Sequence, residues 1–98
     1  MLTGKQKRYL RREAHHLSPI FQVGKGGVNE NMVKQISEAL EARELIKVSV
    51  LQNCEQPKEE VAEALAGGAR AELVQTIGNI IVLYKESKEN KKLSFLNA

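Results

Sequence analysis

The sequence predicts an α/β domain, α+β-like in layout, with the order α-β-α-β-α-β-β and a four-stranded mixed sheet carrying helices on both faces. Three observations predict it. Apolar residues recur at helical spacing in three separate segments, and short β-branched runs fall between them. The last two such runs flank Gly78-Asn79, a pair suited to the two-residue primed turn of a hairpin. Helical crossovers favour parallel pairing and a hairpin is antiparallel, which makes the sheet mixed. At 98 residues the chain has room for one domain and one hydrophobic core.

The first helix opens at Thr3, which has the capping-box spacing to Gln6, and its pattern runs to about Leu17. Leu10, Ala14 and Leu17 share one face, Lys5, Arg8 and Arg12 lie roughly opposite, and Lys7 and Arg11 flank them. One side packs and the other is cationic. Pro19 stops the helix, and Ile20-Phe21-Gln22-Val23 reads as a short strand leading into Gly24-Lys25-Gly26-Gly27. Asn29 is an N-cap for a second helix with Val33, Ile36, Ala39, Leu40 and Arg43 at helical spacing.

Residues 45–51 set Ile46, Val48 and Val50 against Lys47 and Ser49, the alternation of a strand. A third helix follows, with Pro57 as its first residue, Glu59 and Glu60 in its first turn, Val61 and Leu65 one turn apart, and its end at Gly67-Gly68. Residues 71–77 and 80–84 form the terminal hairpin. Residues 85–92 are polar, a strand end or a tail, and Leu93, Phe95 and Leu96 are placed to dock back on the domain.

The net charge of +3 is modest, but its distribution is uneven. Through Gly27, six basic residues (Lys5, Lys7, Arg8, Arg11, Arg12 and Lys25) face the single acid Glu13, whereas residues 28–66 carry eight glutamates against four cations. The glutamates, scattered over amphipathic helices, read as solvated faces. Cys54 is the only cysteine, so no intrachain disulfide forms and nothing points to an oxidising compartment. There is no signal-peptide core and no apolar run near the roughly 18 residues of a membrane helix. The expectation is a soluble cytoplasmic protein.

A glycine loop lets backbone amides approach a phosphate without a Cβ in the way, and the helix start beyond it adds unpaired N–H groups and partial positive charge. Lys25 adds a full charge. The GxxG spacing is also how KH domains clamp a nucleic-acid backbone; the plain alternative is a tight turn whose glycines only permit positive φ. The loop lacks the GxxxxGK of nucleotide-hydrolysing folds and the last glycine of the dinucleotide fingerprint. His15 and His16 are adjacent and point about 100° apart, unsuited to chelating one metal. Cys54 has no catalytic partner in sequence and suits a small, partly buried apolar role. The reading is of no enzyme, metal, cofactor or small-molecule substrate. With only Tyr9, Phe21, Tyr84 and Phe95 as aromatics, rows of stacked bases are poorly supplied, and backbone contacts are the better expectation.

Several separated motifs occur in one order: Leu2-Thr3-Gly4-Lys5-Gln6, Ala14-His15-His16-Leu17, Val23-Gly24-Lys25-Gly26-Gly27-Val28, Ala39-Leu40-Glu41-Ala42-Arg43-Glu44-Leu45-Ile46-Lys47-Val48 and Val82-Leu83-Tyr84-Lys85. In these the chain resembles the CRM domain family, and more narrowly its stand-alone bacterial YhbY-type members. The resemblance implies an RNA-binding domain over residues 1–85, similar in fold to the C-terminal domain of bacterial translation initiation factor three, with residues 86–98 as an extension of unassigned role. It also implies association with ribosomal RNA of large-subunit precursors during ribosome assembly. The family's RNA-contacting loop falls on Gly24, Lys25, Gly26 and Gly27, and its supporting basic surface on the first helix with Lys5, Lys7, Arg8, Arg11 and Arg12. Asn79 departs from the family, where a basic residue often follows the turn glycine. The resulting expectation is a monomeric, non-catalytic RNA-binding protein; the alternatives are an adaptor that joins ribosomal particles through a protein contact, and a phosphate-ligand enzyme.

Overall fold

A computed structural model describes residues 2–89, with three helices and four strands in the expected order. Strands β1 (Phe21–Val23), β2 (Leu45–Val50), β3 (Glu72–Ile77) and β4 (Ile80–Tyr84) form one sheet in the spatial order β1-β2-β4-β3. β1 pairs parallel with β2, while β4 pairs antiparallel with both β2 and β3. Only one of the two helical crossovers therefore joins strands that touch. The composition of the hairpin explains this. β4 reads Ile-Ile-Val-Leu-Tyr and is apolar on both faces, so it belongs inside the sheet; β3 carries Glu72, Gln75 and Thr76 and suits an edge.

Helix α1 (Gly4–Ala14) begins with the expected capping box: Gln6 N donates to Thr3 Oγ1 at 3.1 Å, and Thr3 N donates to Gln6 Oε1 at 2.9 Å. It stops about a turn earlier than the apolar pattern predicts. Leu17 lies in a turn beyond the helix, 37% exposed, because the chain must swing round to pair β1. Ile20 N donates to Lys47 O, and Lys47 Nζ donates to Leu17 O at 2.9 Å.

The sheet divides the interior into two apolar clusters rather than one core. Helices α2 (Glu30–Arg43) and α3 (Lys58–Ala69) cover one face, where Ile36, Leu40 and Leu65 pack on Ile46, Val48 and Ile81. α1 alone covers the other, setting Leu10 and Ala14 against Leu45, Val74, Val82 and Tyr84. The period-two alternation of β2 assigns its side chains to these two faces.

Two boundaries of α3 differ from expectation. Pro57 is the N-cap rather than the first helical residue, its carbonyl accepting from Val61 N. Gly67-Gly68 does not end the helix, which continues to Ala69 and is capped by Arg70 in the left-handed region. Gly68 instead serves close helix packing. A Cβ there would lie 3.0 Å from Val33 Cγ1 of α2, so only the bare backbone lets α3 approach this near.

Not all the glutamates are solvated. Glu44 is fully buried and accepts from Ser87 N at 2.7 Å, while Glu41 accepts from Ser87 Oγ, Lys88 N and Glu89 N. These carboxylates pin the chain just past β4 to the end of α2. The expected docking of Leu93, Phe95 and Leu96 lies outside the described residues. Among the described residues no helix is long and apolar enough to cross a membrane.

Candidate nucleic-acid interface

Pairing of β1 with β2 ends at Val23 and Val50, so the chain beyond β1, the segment between β2 and α3, and the β3–β4 turn meet at one end of the sheet. Backbone and side chains knit them together. Leu51 N donates to Val23 O, Val50 N to Asn79 O, and Asn79 Nδ2 to Val50 O.

The Gly24–Gly27 loop is a turn closed by Gly27 N donating to Gly24 O at 3.0 Å. Its residues do different jobs. Lys25 and Gly26 form an exposed tip; Gly26 has open space where a Cβ would stand, so its lack of a side chain leaves the backbone accessible from outside. Gly24 is half-buried, and a Cβ there would make only ordinary contact with Leu51 and Asn53. Gly27 is buried with φ +67°, and a Cβ there would collide with the Gln56 side chain. That glycine is a structural requirement.

Gln56 also accepts from Val28 N at 3.1 Å through Oε1, and the Asn29 N-cap accepts from Met32 N at 2.8 Å. The amides of Val28, just before the cap, and of Met32 are therefore occupied by the protein itself, and Glu30 lies in the first turn of α2. The part of the motif open to solvent is the tip, Lys25 and Gly26.

The α1 cations are displayed much as the helical wheel predicts. Lys5, Arg8, Arg11 and Arg12 are exposed and Lys7 is half-buried. The carboxyl end of α1 lies over the same end of the sheet as the glycine loop, because Arg11, Ala14 and His15 share a groove with Ile77 and Ile80. Lys5 lies seven residues before Arg12, roughly 10 Å further back along the helix axis.

Sequence reading missed three polar residues here. Gln56 braces the loop from 28 residues away, a relation with no local signature. Lys58 donates through Nζ to Gly78 O, putting a cation beside the turn whose own sequence offers Asn79. Lys47 is held against Leu17 O; strand alternation reveals its face but not its tether. Cys54 is half-buried beside Gln56. His15 and His16 are exposed and stand edge to face, 5.9 Å between ring centres. Among the described residues no group of three or more His, Cys, Asp or Glu side chains is arranged to hold a metal.

Comparison with known proteins gives a consistent picture. Residues 2–85 match the CRS1 / YhbY (CRM) domain. The chain is 80% identical over 93 residues to a Bacillus subtilis protein named "Probable RNA-binding protein YqeI", covering 95% of this chain and 97% of that one. It is 41% identical over 90 residues to a Haemophilus influenzae protein named as an RNA-binding protein, covering 92% and 91%. The solution structure of the Staphylococcus aureus hypothetical protein SAV1595 is similar with a TM-score of 0.77 and 67% identity, covering 93% of this chain and 95% of that one.

Proposed function

The chain belongs to the CRS1 / YhbY (CRM) domain family, and from that premise we propose that it is a non-catalytic RNA-binding protein that engages ribosomal RNA of large-subunit precursors during ribosome assembly. It acts as a cytoplasmic monomer, with residues 1–85 as the RNA-binding unit and residues 86–98 as an extension. The observation that carries the reading is the loop itself: an exposed Lys25-Gly26 tip on a foot braced by Gly27 and Gln56, in a chain whose relatives are named RNA-binding proteins.

A preformed turn loses little conformational entropy when it meets a phosphate, and the unhindered tip backbone lets the phosphate come close. Lys25 supplies the charge. Arg8, Arg11 and Arg12 extend the footprint along α1, with Lys5 and Lys7 at its far end, so the contact follows the sugar-phosphate backbone rather than base edges. Selectivity then comes mainly from RNA shape.

The test is binding to large-subunit precursor RNA. Lys25→Ala combined with Arg8→Ala and Arg12→Ala, all exposed positions, is expected to weaken binding about tenfold or more while leaving the circular dichroism spectrum intact. Unchanged affinity would remove the proposed surface. An adaptor that joins particles through a protein contact predicts instead that nuclease-treated particles retain the chain.

A further inference from the structure

α1 covers only part of its sheet face. Past Ala14 a groove of about 140 Å³ opens between the end of the helix and strands β2, β4 and β3. Its floor is apolar, made by Ala14, Ile80 and Val82, and Ile77 forms one wall with 59% of its surface exposed. A cavity of roughly 150 Å³ with apolar walls is known to hold one benzene ring, so this groove has room for a single flat ring.

The groove also has a polar edge, and a backbone irregularity creates it. Leu73 pairs with Leu83 and Gln75 with Val82, leaving Val74 as the extra residue of a β-bulge. Regular alternation would send Gln75 and Ile77 to the α2/α3 face; the bulge turns both toward α1. Gln75 thereby lines the groove with an amide that offers both a donor and an acceptor. The rim is cationic: Arg11 and Lys47 line it beside the polar ring of His15, and no acidic residue does. The Lys47 ammonium is held there by Leu17 O at 2.9 Å and has two further donors.

We propose that this groove seats one unpaired RNA base. The ring lies on Ile80 and Val82 against Ile77, its edge is read by Gln75, and Arg11 and Lys47 attract the phosphates on either side. β4 lies two strand spacings from β1, about 10 Å, so one RNA strand can meet both the groove and the glycine loop. The assignment rests on the RNA-binding reading above and adds a base-sized subsite to a surface otherwise directed at backbone. Charge complementarity selects this occupant over an aromatic side chain of a protein partner, since an aromatic ring alone leaves Arg11 and Lys47 without counter-charge.

The test compares three probes by fluorescence anisotropy: a hairpin RNA with one bulged nucleotide, the same hairpin with an abasic residue at the bulge, and the fully paired stem. The full chain is expected to prefer the bulged over the abasic hairpin by about tenfold. Ile77→Ser and Gln75→Ala are expected to bind the bulged hairpin as weakly as the unaltered chain binds the abasic one. Lys25→Ala should lower affinity for both hairpins and keep the preference. Equal binding of bulged and abasic hairpins overturns the subsite and leaves RNA binding intact. So does a preference that survives in Ile77→Ser. No binding to any of the three overturns both readings. Release of the Ile77→Ser chain from nuclease-treated particles, without any bulge preference, overturns it in favour of an aromatic protein contact.

Discussion

The two faces of the sheet are built differently. On one, two helices cross four strands and bury Ile36, Leu40, Leu65, Ile46, Val48 and Ile81 to 1% exposure or less. On the other, a single helix seals Leu10, Leu45 and Tyr84 at one end and leaves Ile80 half-buried and Ile77 exposed at the other. The closed face stabilises the molecule, whereas the half-open face and the adjoining loop end present backbone, cations and an apolar ledge to solvent. The glycine loop repeats this division on a smaller scale, with a buried foot at Gly27 and an exposed tip at Lys25 and Gly26.

Leu65→Ala removes a fully buried side chain of the closed face and should cost about 2–5 kcal/mol, read from the urea midpoint. Ile77→Ser on the open face should stay within about 0.5 kcal/mol. Similar losses at the two sites would erase the distinction between the faces. Within the loop, Gly27→Ala meets both a positive φ and the Gln56 side chain, for a cost of about 1–3 kcal/mol. Gly26→Ala meets nothing, so it should leave the urea midpoint in place and weaken RNA binding by standing a methyl group where the phosphate approaches.

A pH-dependent effect probes the sealed end of the α1 face. Burial, then the nearby Glu44 and Glu86 carboxylates, push the Tyr84 phenol up to about 12. The folded state thus holds its proton more tightly than the unfolded chain. Stability from this group is complete below the ordinary phenol value and falls as pH rises from about 10 toward 12, by about 1 kcal/mol near pH 11. Urea unfolding across this range should show that slope, and Tyr84→Phe should remove it.

Much of the framework is legible locally. The Thr3/Gln6 capping box, the Asn29 N-cap, the β2 alternation and the Gly78-Asn79 turn each depend on a few neighbouring residues, and each is found where its pattern predicts. The resemblance carried by the motifs of residues 2–85 is matched by the family assignment over the same residues. The rest depends on distant partners. Whether Gly68 ends a helix or lets Val33 approach is decided by α2. Glu44 reads as a solvated acid until Ser87, 43 residues later, donates to it. The bulge at Val74 leaves the composition of β3 unremarkable while changing which side chains face α1. At the candidate site, sequence motifs identify the loop and the cationic helix but not the brace from Gln56 or the occupied amides of Val28 and Met32. Those features separate the exposed tip from its structural foot.

The most direct test of that separation is the salt dependence of affinity for large-subunit precursor RNA, measured for the unaltered chain, Lys25→Ala and Gly26→Ala. Each phosphate contact to single-stranded RNA contributes about −0.7 to the slope of log K against log salt. Lys25→Ala should make the slope shallower by about that amount. Gly26→Ala, which removes no charge, should lower affinity with the slope little changed. If both variants bind with the affinity and slope of the unaltered chain, the loop tip does not touch the RNA.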